Sequence, residues 1–295
     1  MPSTRSHALL EAPSALGLRS AGVEQLPAAL LEQGLAERLR AKRAGCVAPE
    51  GRSGEVDPAT GVLNGPEIVR FTERLAEAVG SLLDTREFPI VLGGDCSIVL
   101  GSALALKRRG RYGLLFIDGQ ADFFQPEAEP NGEAASMDLA FVTGYGPAPL
   151  TRFEGHSALI LPADAVAFGF RDHEDQAEYG SQPLPAELLA LDLPAIKRMG
   201  IDAAADTAVR HVSRAELAGF WIHVDADCLD DAVMPAVDFR LPEGLSPDEL
   251  RTVLRRALDS GRAMGIEITI YNPALDPERR AGKVLADLLV EALTA

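Results

Sequence analysis

Acidic residues in this chain fall in pairs directly after apolar runs. Asp118 and Asp122 stand in Ile-Asp-Gly-Gln-Ala-Asp, positions 117–122, behind the run Gly-Leu-Leu-Phe-Ile at 113–117. Asp225 and Asp227 stand in His-Val-Asp-Ala-Asp, positions 223–227, behind Gly-Phe-Trp-Ile. Asp95 and Cys96 follow Phe-Pro-Ile-Val-Leu-Gly-Gly at 88–94. Short apolar runs of this kind read as buried strands, so three strands each end in groups able to hold a metal. Carboxylates gathered there lose hydration and repel one another, and a cation or bound protons must offset both effects. The chemistry that suits such an arrangement is metal-assisted hydrolysis.

The elements that would position these groups alternate. Leucines at 26, 30, 31, 35 and 39 predict a helical stretch over 21–45, and the Gly- and Pro-rich stretch 46–66 reads as a loop. An amphipathic helix is expected at 67–84, a strand at 88–92, a helix at about 97–109 and a strand at 113–117. The segment 119–148 is too long and polar for a simple connection and contains a short expected helix around 133–143; long loops above strand ends are commonly functional. A strand at 158–161, helices at 184–199 and 213–218, a strand at 220–225, a helix at 246–260, a strand at 263–271 and a helix at 277–293 complete the reading. This alternation predicts a single α/β domain over 1–295, with a mainly parallel sheet between two helical layers and residues 1–20 peripheral or poorly ordered. Ligands of such sheets bind beyond the carboxyl ends of the strands, where the acidic pairs fall.

Bulk properties narrow the function. Of the 295 residues, 47% are hydrophobic and only 5% aromatic, which predicts a large aliphatic core. A net charge of −16 argues against nucleic acid as a partner. Cys46, Cys96 and Cys228 do not make a disulfide framework, so a reducing cytoplasm is the expected setting. No stretch reads as a signal peptide or membrane span.

Taken in order, Gly-Gly-Asp-Cys-Ser (93–97), Asp-Gly-Gln-Ala-Asp (118–122), Arg-Asp (171–172), Asp-Ala-Asp-Cys-Leu-Asp (225–230) and Asn-Pro (272–273) resemble the arginase/agmatinase, or ureohydrolase, family. The resemblance covers about residues 20–293. It implies an eight-stranded parallel sheet and two manganese ions bridged by a hydroxide that attacks a guanidinium carbon. It also implies a homo-oligomer, commonly a trimer or hexamer. One metal would be held by Cys96, Asp118, Asp122 and Asp225, the second by Asp118, Gln120, Asp225 and Asp227. The family carries His at both position 96 and position 120. A thiolate at 96 favours zinc or iron over manganese, and the neutral Gln120 amide makes for a weak or vacant second site. The family's shuttle His falls near Ala135 and its guanidinium-clamping carboxylate near Ile270. Glu267, three residues upstream on a strand, faces the other way without a bulge, so Glu133 is the candidate substitute clamp.

Each residue also has a plainer reading. The aspartates suit helix caps after strands, Cys96 a small buried core residue, and Gln120 a loop filler. Asp95 reads as a brace for its loop and Cys228 as packing. His223 shares a face with Asp225 and is either a satisfied core histidine or a group beneath the metals. The resemblance places His173, Glu174 and Asp175 in a substrate-rim loop, which makes Asp172 and Glu174 candidate contacts for a cationic substrate; the plainer reading is a solvated charged loop. Gly93-Gly94 lacks the pattern of a phosphate loop. The favoured expectation is a metal-dependent hydrolase of a guanidine or amidine C–N bond, with Asp118 and Asp122 as catalytic residues. The alternative is a non-catalytic member with an altered or empty metal site, serving assembly, regulation or ligand sensing.

Overall fold

The computed structural model of the protein describes residues 5–294. Its strands are β1 (His7–Glu11), β2 (Lys42–Cys46), β3 (Val56–Asp57), β4 (Val62–Leu63), β5 (Phe88–Leu92), β6 (Gly113–Ile117), β7 (Ala165–Phe168), β8 (Leu189–Leu191), β9 (Phe220–Asp225) and β10 (Ala263–Thr269). Eight of them form one parallel sheet in the order β2-β1-β5-β10-β9-β6-β7-β8, and β3 and β4 make a separate hairpin. The interior strands are apolar on both faces because helices cover both. Leu115, Ile117, Ile222 and Val224 pack into one core with the helices Ile201–Val212, Pro247–Asp259 and Arg280–Leu293. Leu114, Phe116 and Trp221 pack into the other with Gly65–Asp84 and Val99–Lys107. Among the described residues, no helix is long and apolar enough to cross a membrane.

Several elements differ from the sequence reading. Far from being peripheral, His7–Glu11 is strand β1, paired between β2 and β5, with Ala8, Leu9 and Leu10 buried. The helical stretch expected to 45 stops at Arg38, and Lys42–Cys46 forms the edge strand β2. Within 46–66 lie β3 and β4. The strand expected at 158–161 lies instead at Ala165–Phe168, after a 3-10 turn begun by Pro162. Residues 184–199 split into β8 and the helix Leu193–Met199, and 213–218 follows the helix Ile201–Val212 rather than forming one.

One buried charge secures the start of β7. Asp164 is fully buried, and its carboxylate accepts from Arg111 Nε (2.7 Å), Arg111 Nη2 (2.9 Å) and Arg214 Nη2 (2.7 Å). Removing it leaves two guanidinium groups without their acceptor, at an expected cost of about 3 kcal/mol. Urea denaturation of Asp164→Ala measures this directly. A cost below about 1 kcal/mol would show that solvent satisfies both arginines unaided.

Candidate metal centre

β5, β6 and β9 end at one level of the sheet and deliver their polar groups to one place. The turn after β5 is tight: Gly94 O accepts from Ile270 N (2.8 Å), and Asp95 N donates to Ser14 O (3.0 Å). Asp95 braces this loop, as its sequence position suggests, accepting from Ser14 Oγ (2.7 Å) and Ser97 N (3.0 Å). Cys96 is thereby held with Sγ 2.6 Å from Asp225 Oδ2 and 3.2 Å from Thr269 Oγ1.

The capping reading of the aspartates holds for Asp225, at the start of the 3-10 turn Ala226–Cys228, and Asp118 makes the same local contact. Asp118 Oδ1 accepts from Gln120 N (2.8 Å), and Asp225 Oδ1 accepts from Asp227 N (2.8 Å). Asp227 Oδ1 accepts from Gly119 N (3.0 Å), which ties the β6 and β9 turns together. These contacts hold the three carboxylates in place, and the second oxygen of Asp225 meets Cys96 Sγ. Asp118 Oδ2 is buried without a hydrogen-bond partner.

Two groups of ligand-type atoms result. One atom each from Cys96, Asp118, His223 and Asp225 lie within 4.8 Å of one another, as do atoms from Cys96, Asp122 and Asp138. Burial drives the carboxyls of Asp118, Asp122, Asp138 and Asp225 well above the usual range, and like charges around them push in the same direction. Burial likewise raises the Cys96 thiol, with Asp225 as the next contributor. A divalent cation fits this environment. It would offset the shared negative charge, and it would satisfy the orphaned oxygens Asp118 Oδ2 and Asp138 Oδ2.

A cavity of about 470 Å³ opens onto this cluster, lined by Cys96, Gln120, Asp122, Asp172, Asp225 and Asp227 among others. Its acidic lining continues outward through Glu129, Glu133, Asp175 and Asp238, with Arg19 as the cationic lining residue. Glu133 faces the cavity and accepts from Arg19 N (2.6 Å); burial raises its carboxyl. Asp172 accepts from Ala121 N (3.1 Å) and Gln176 Nε2 (2.8 Å), and its Oδ2 has no partner. Glu174 is exposed and does not line the cavity, whereas Asp175 does, one residue further round the same helical turn. His173 pairs with Asp192 (3.0 Å) away from the cavity. Cys228 is buried and packs in the core. Leu18, Arg19 and Ser20 line the cavity too, a second correction to the peripheral reading of the N-terminal segment.

Ile270 and Asp122 carry positive φ angles, 68° and 45°. A β-branched residue in this region is costly, on the order of 1–3 kcal/mol, and persists only where its surroundings impose it. Ile270 accordingly presents an apolar side chain to the cavity at the position where the resembling family has a carboxylate. Glu267 points into the core, as the strand period requires, and meets Ser102 Oγ (2.6 Å) and His223 Nδ1 (2.9 Å). Asp138 was missing from the sequence reading. Its signal was a charged residue inside the apolar run Met-Asp-Leu-Ala-Phe-Val, positions 137–142, of an expected helix.

Known proteins share this frame. The arginase family model matches residues 6–295. The arginase of Staphylococcus aureus strain COL is 26% identical over 303 aligned residues, covering 98% of this chain and 97% of the relative. That of Bacillus subtilis strain 168 is 28% identical over 228 residues, covering 77% and 75%. In fold, the native Bacillus caldovelox arginase structure matches with a TM-score of 0.87 at 23% identity, over 99% of both chains. Proclavaminate amidino hydrolase from Streptomyces clavuligerus matches at 0.71 with 18% identity, over 99% of this chain and 92% of that one. With its eight-stranded parallel sheet, its buried cluster at the strand ends and a family match over nearly its whole length, this chain belongs to the arginase family of ureohydrolases.

Proposed function

We propose that this protein is a metal-dependent hydrolase that cleaves a C–N bond of a guanidine or amidine, releasing urea or a related product. The observation that carries this reading is a pair of buried ligand groups that share Cys96, one with Asp118, His223 and Asp225 and one with Asp122 and Asp138, beside an acidic cavity that Cys96, Asp122 and Asp225 line. Cys96, Asp118, Asp122 and Asp225 would hold one divalent ion; Gln120 and Asp227, with Asp118 and Asp225 shared, would hold a weaker second. When bound, such an ion supplies Lewis acidity that lets water act as a nucleophile near neutral pH.

The residues themselves do the rest. Asp122 accepts a hydrogen bond from the attacking water and orients it. Glu133 and Asp172, with Asp175 in the place expected of Glu174, draw a cationic group into the cavity and hold it against the floor. Ile270 offers no charge there, so the guanidinium is bound through the loop side of the cavity. Family membership supports the acyclic guanidino class of substrate, and it supports assembly into a homo-oligomer.

A screen of guanidines and amidines for urea or ammonia release, on protein loaded separately with manganese, cobalt and zinc, tests the reading. Turnover of at least one cationic guanidine is the expected result. Cation binding without product from any compound would instead favour the non-catalytic reading. The specific observation behind that second reading is the Cys96–Asp225 contact of 2.6 Å, through which a shared proton can ease the charge of the cluster.

A further inference from the structure

We propose that His223 is a metal ligand in this chain. With Cys96, Asp118 and Asp225 it would form a mixed sulfur, nitrogen and oxygen site for a zinc-type divalent cation, taking the ligand place that the reading above gives to Asp122. The inference rests on the cation-dependent reading above, but its test does not involve turnover.

The argument begins with the imidazole. His223 lies on β9, two residues before Asp225, so both side chains project from the same face of the sheet. It is fully buried. Its ring lies flat on Phe116, with centroids 4.5 Å apart and planes within 4°, so its orientation is fixed. At one edge Nδ1 donates to Glu267 Oε1 at 2.9 Å, and Glu267 Oε2 accepts from Ser102 Oγ at 2.6 Å. A ring that donates through Nδ1 presents a lone pair at Nε2.

That lone pair has no partner. Nε2 is a buried nitrogen without a hydrogen bond, and it faces Asp118 Oδ2, a buried oxygen also without one, across 3.9 Å. Two buried polar atoms face each other in the protein interior, too far apart for a hydrogen bond and with no partner between them. Such an arrangement is costly unless something positive lies between the two. Two atoms bound to one ion at about 2.0–2.1 Å each stand about 3.4–4.2 Å apart, depending on the angle between them. The observed gap of 3.9 Å lies about 0.5 Å above the tetrahedral end of that interval, so the two atoms would draw together slightly around a tetrahedral ion; Cys96 Sγ and Asp225 complete the group within 4.8 Å.

A carboxylate that fixes the far nitrogen of a ligating imidazole is a recurrent arrangement at metal sites, and here Glu267 supplies it. One thiolate, one imidazole and two carboxylate oxygens suit a tetrahedral, borderline-soft ion better than a hard one that prefers oxygen alone. The nitrogen donor absent at positions 96 and 120 is thereby supplied from beneath the site. On binding, the ion displaces the thiol proton of Cys96 to solvent.

The test is zinc-edge X-ray absorption of full-length wild-type protein carrying one zinc per chain, with calorimetric zinc and manganese titrations of wild type, His223→Gln and Glu267→Gln. The expected spectrum contains one sulfur at about 2.3 Å and the multiple scattering of an imidazole. Zinc affinity should exceed manganese affinity in the wild type. It should fall at least ~100-fold in His223→Gln and about 10–100-fold in Glu267→Gln, where only the orienting group is lost. A sulfur-and-oxygen shell without imidazole, with zinc affinity unchanged in His223→Gln, would overturn the role of His223 and leave the cation-dependent reading intact. Failure of the wild type to bind zinc while it binds manganese would overturn the inference alone, and failure to bind either ion would overturn both. The wild-type spectrum decides the matter even if a variant folds poorly.

Discussion

Protein carrying Asp118→Asn and Asp225→Asn together is expected to bind no divalent cation at micromolar concentration and to lose at least about three decades of turnover. Each substitution exchanges a carboxylate for a neutral amide at a point that the two proposed metal positions would share. The loss of several kcal/mol of Lewis-acid stabilisation corresponds to that drop in rate. A second effect runs the opposite way. Burial and like charges hold both carboxyls well above the usual range, so in the metal-free protein they are a burden. A carboxyl whose folded pKa is raised keeps its proton in the native state where the unfolded chain has released it. Native stability therefore falls as pH rises above the ordinary carboxylate range. Chelator-treated double variant should accordingly melt above chelator-treated wild type, and the difference should widen from mildly acidic to mildly alkaline pH. Calorimetric melting with and without metal, beside a turnover assay, checks both halves. Wild-type turnover in the double variant would refute metal-assisted hydrolysis here. Equal melting at every pH would show that protons or structural waters already relieve the cluster.

Gly94→Ala is expected to cost more than about 3 kcal/mol, the upper end for steric insertion into a packed interior. A Cβ at this position would overlap the carbonyl oxygen of Ser14 and come within 2.7 Å of its carbonyl carbon and 2.8 Å of its nitrogen. Neither partner can yield freely. Ser14 O already accepts from Asp95 N, and Gly94 O accepts from Ile270 N. The strain would thus reach the brace that orients Cys96 and the positive-φ turn at Ile270 together. Urea denaturation gives the cost, and zinc titration of whatever folds gives the displacement of Cys96. A variant of wild-type stability would mean that the Ser14 and Gly94 backbones separate easily, contrary to their hydrogen bonding.

The site was legible because its residues stand at the ends of strands β5, β6 and β9, whose apolar runs have sharp boundaries. Positions 88–92 and 113–117 coincide with the observed strands, as does 220–225. What the sequence concealed has physical causes. β2, Lys-Arg-Ala-Gly-Cys, is an exposed edge strand and has no apolar face to announce it. β1 is only five residues long, and burial by neighbours remote in sequence, not its own pattern, makes it a strand. The run Ala-Leu-Ile-Leu at 158–161 is more apolar than the true strand Ala-Val-Ala-Phe at 165–168, yet the 3-10 turn at Pro162 separates it from the sheet. Glu174 and Asp175 differ by one position, and only the helical rotation between them decides which faces the cavity. His223 lay in plain view beside Asp225, but its consequence depends on Glu267, 44 residues away.

The strand order bears on how the chain matures. β5 and β6 are consecutive in sequence, yet β10 and β9 stand between them. Until both late strands insert, the first three-quarters of the polypeptide carries two unzipped sheet margins, and Cys96 and Asp118 are held apart. Long-range pairings of this kind form slowly and leave sticky intermediates. Capture of the proposed cation therefore waits for the final quarter of the chain, which carries His223 and Asp225. A ribosome-bound fragment ending before residue 220 should depend on chaperones and bind the cation weakly, so that capture would follow the insertion of β9 and β10.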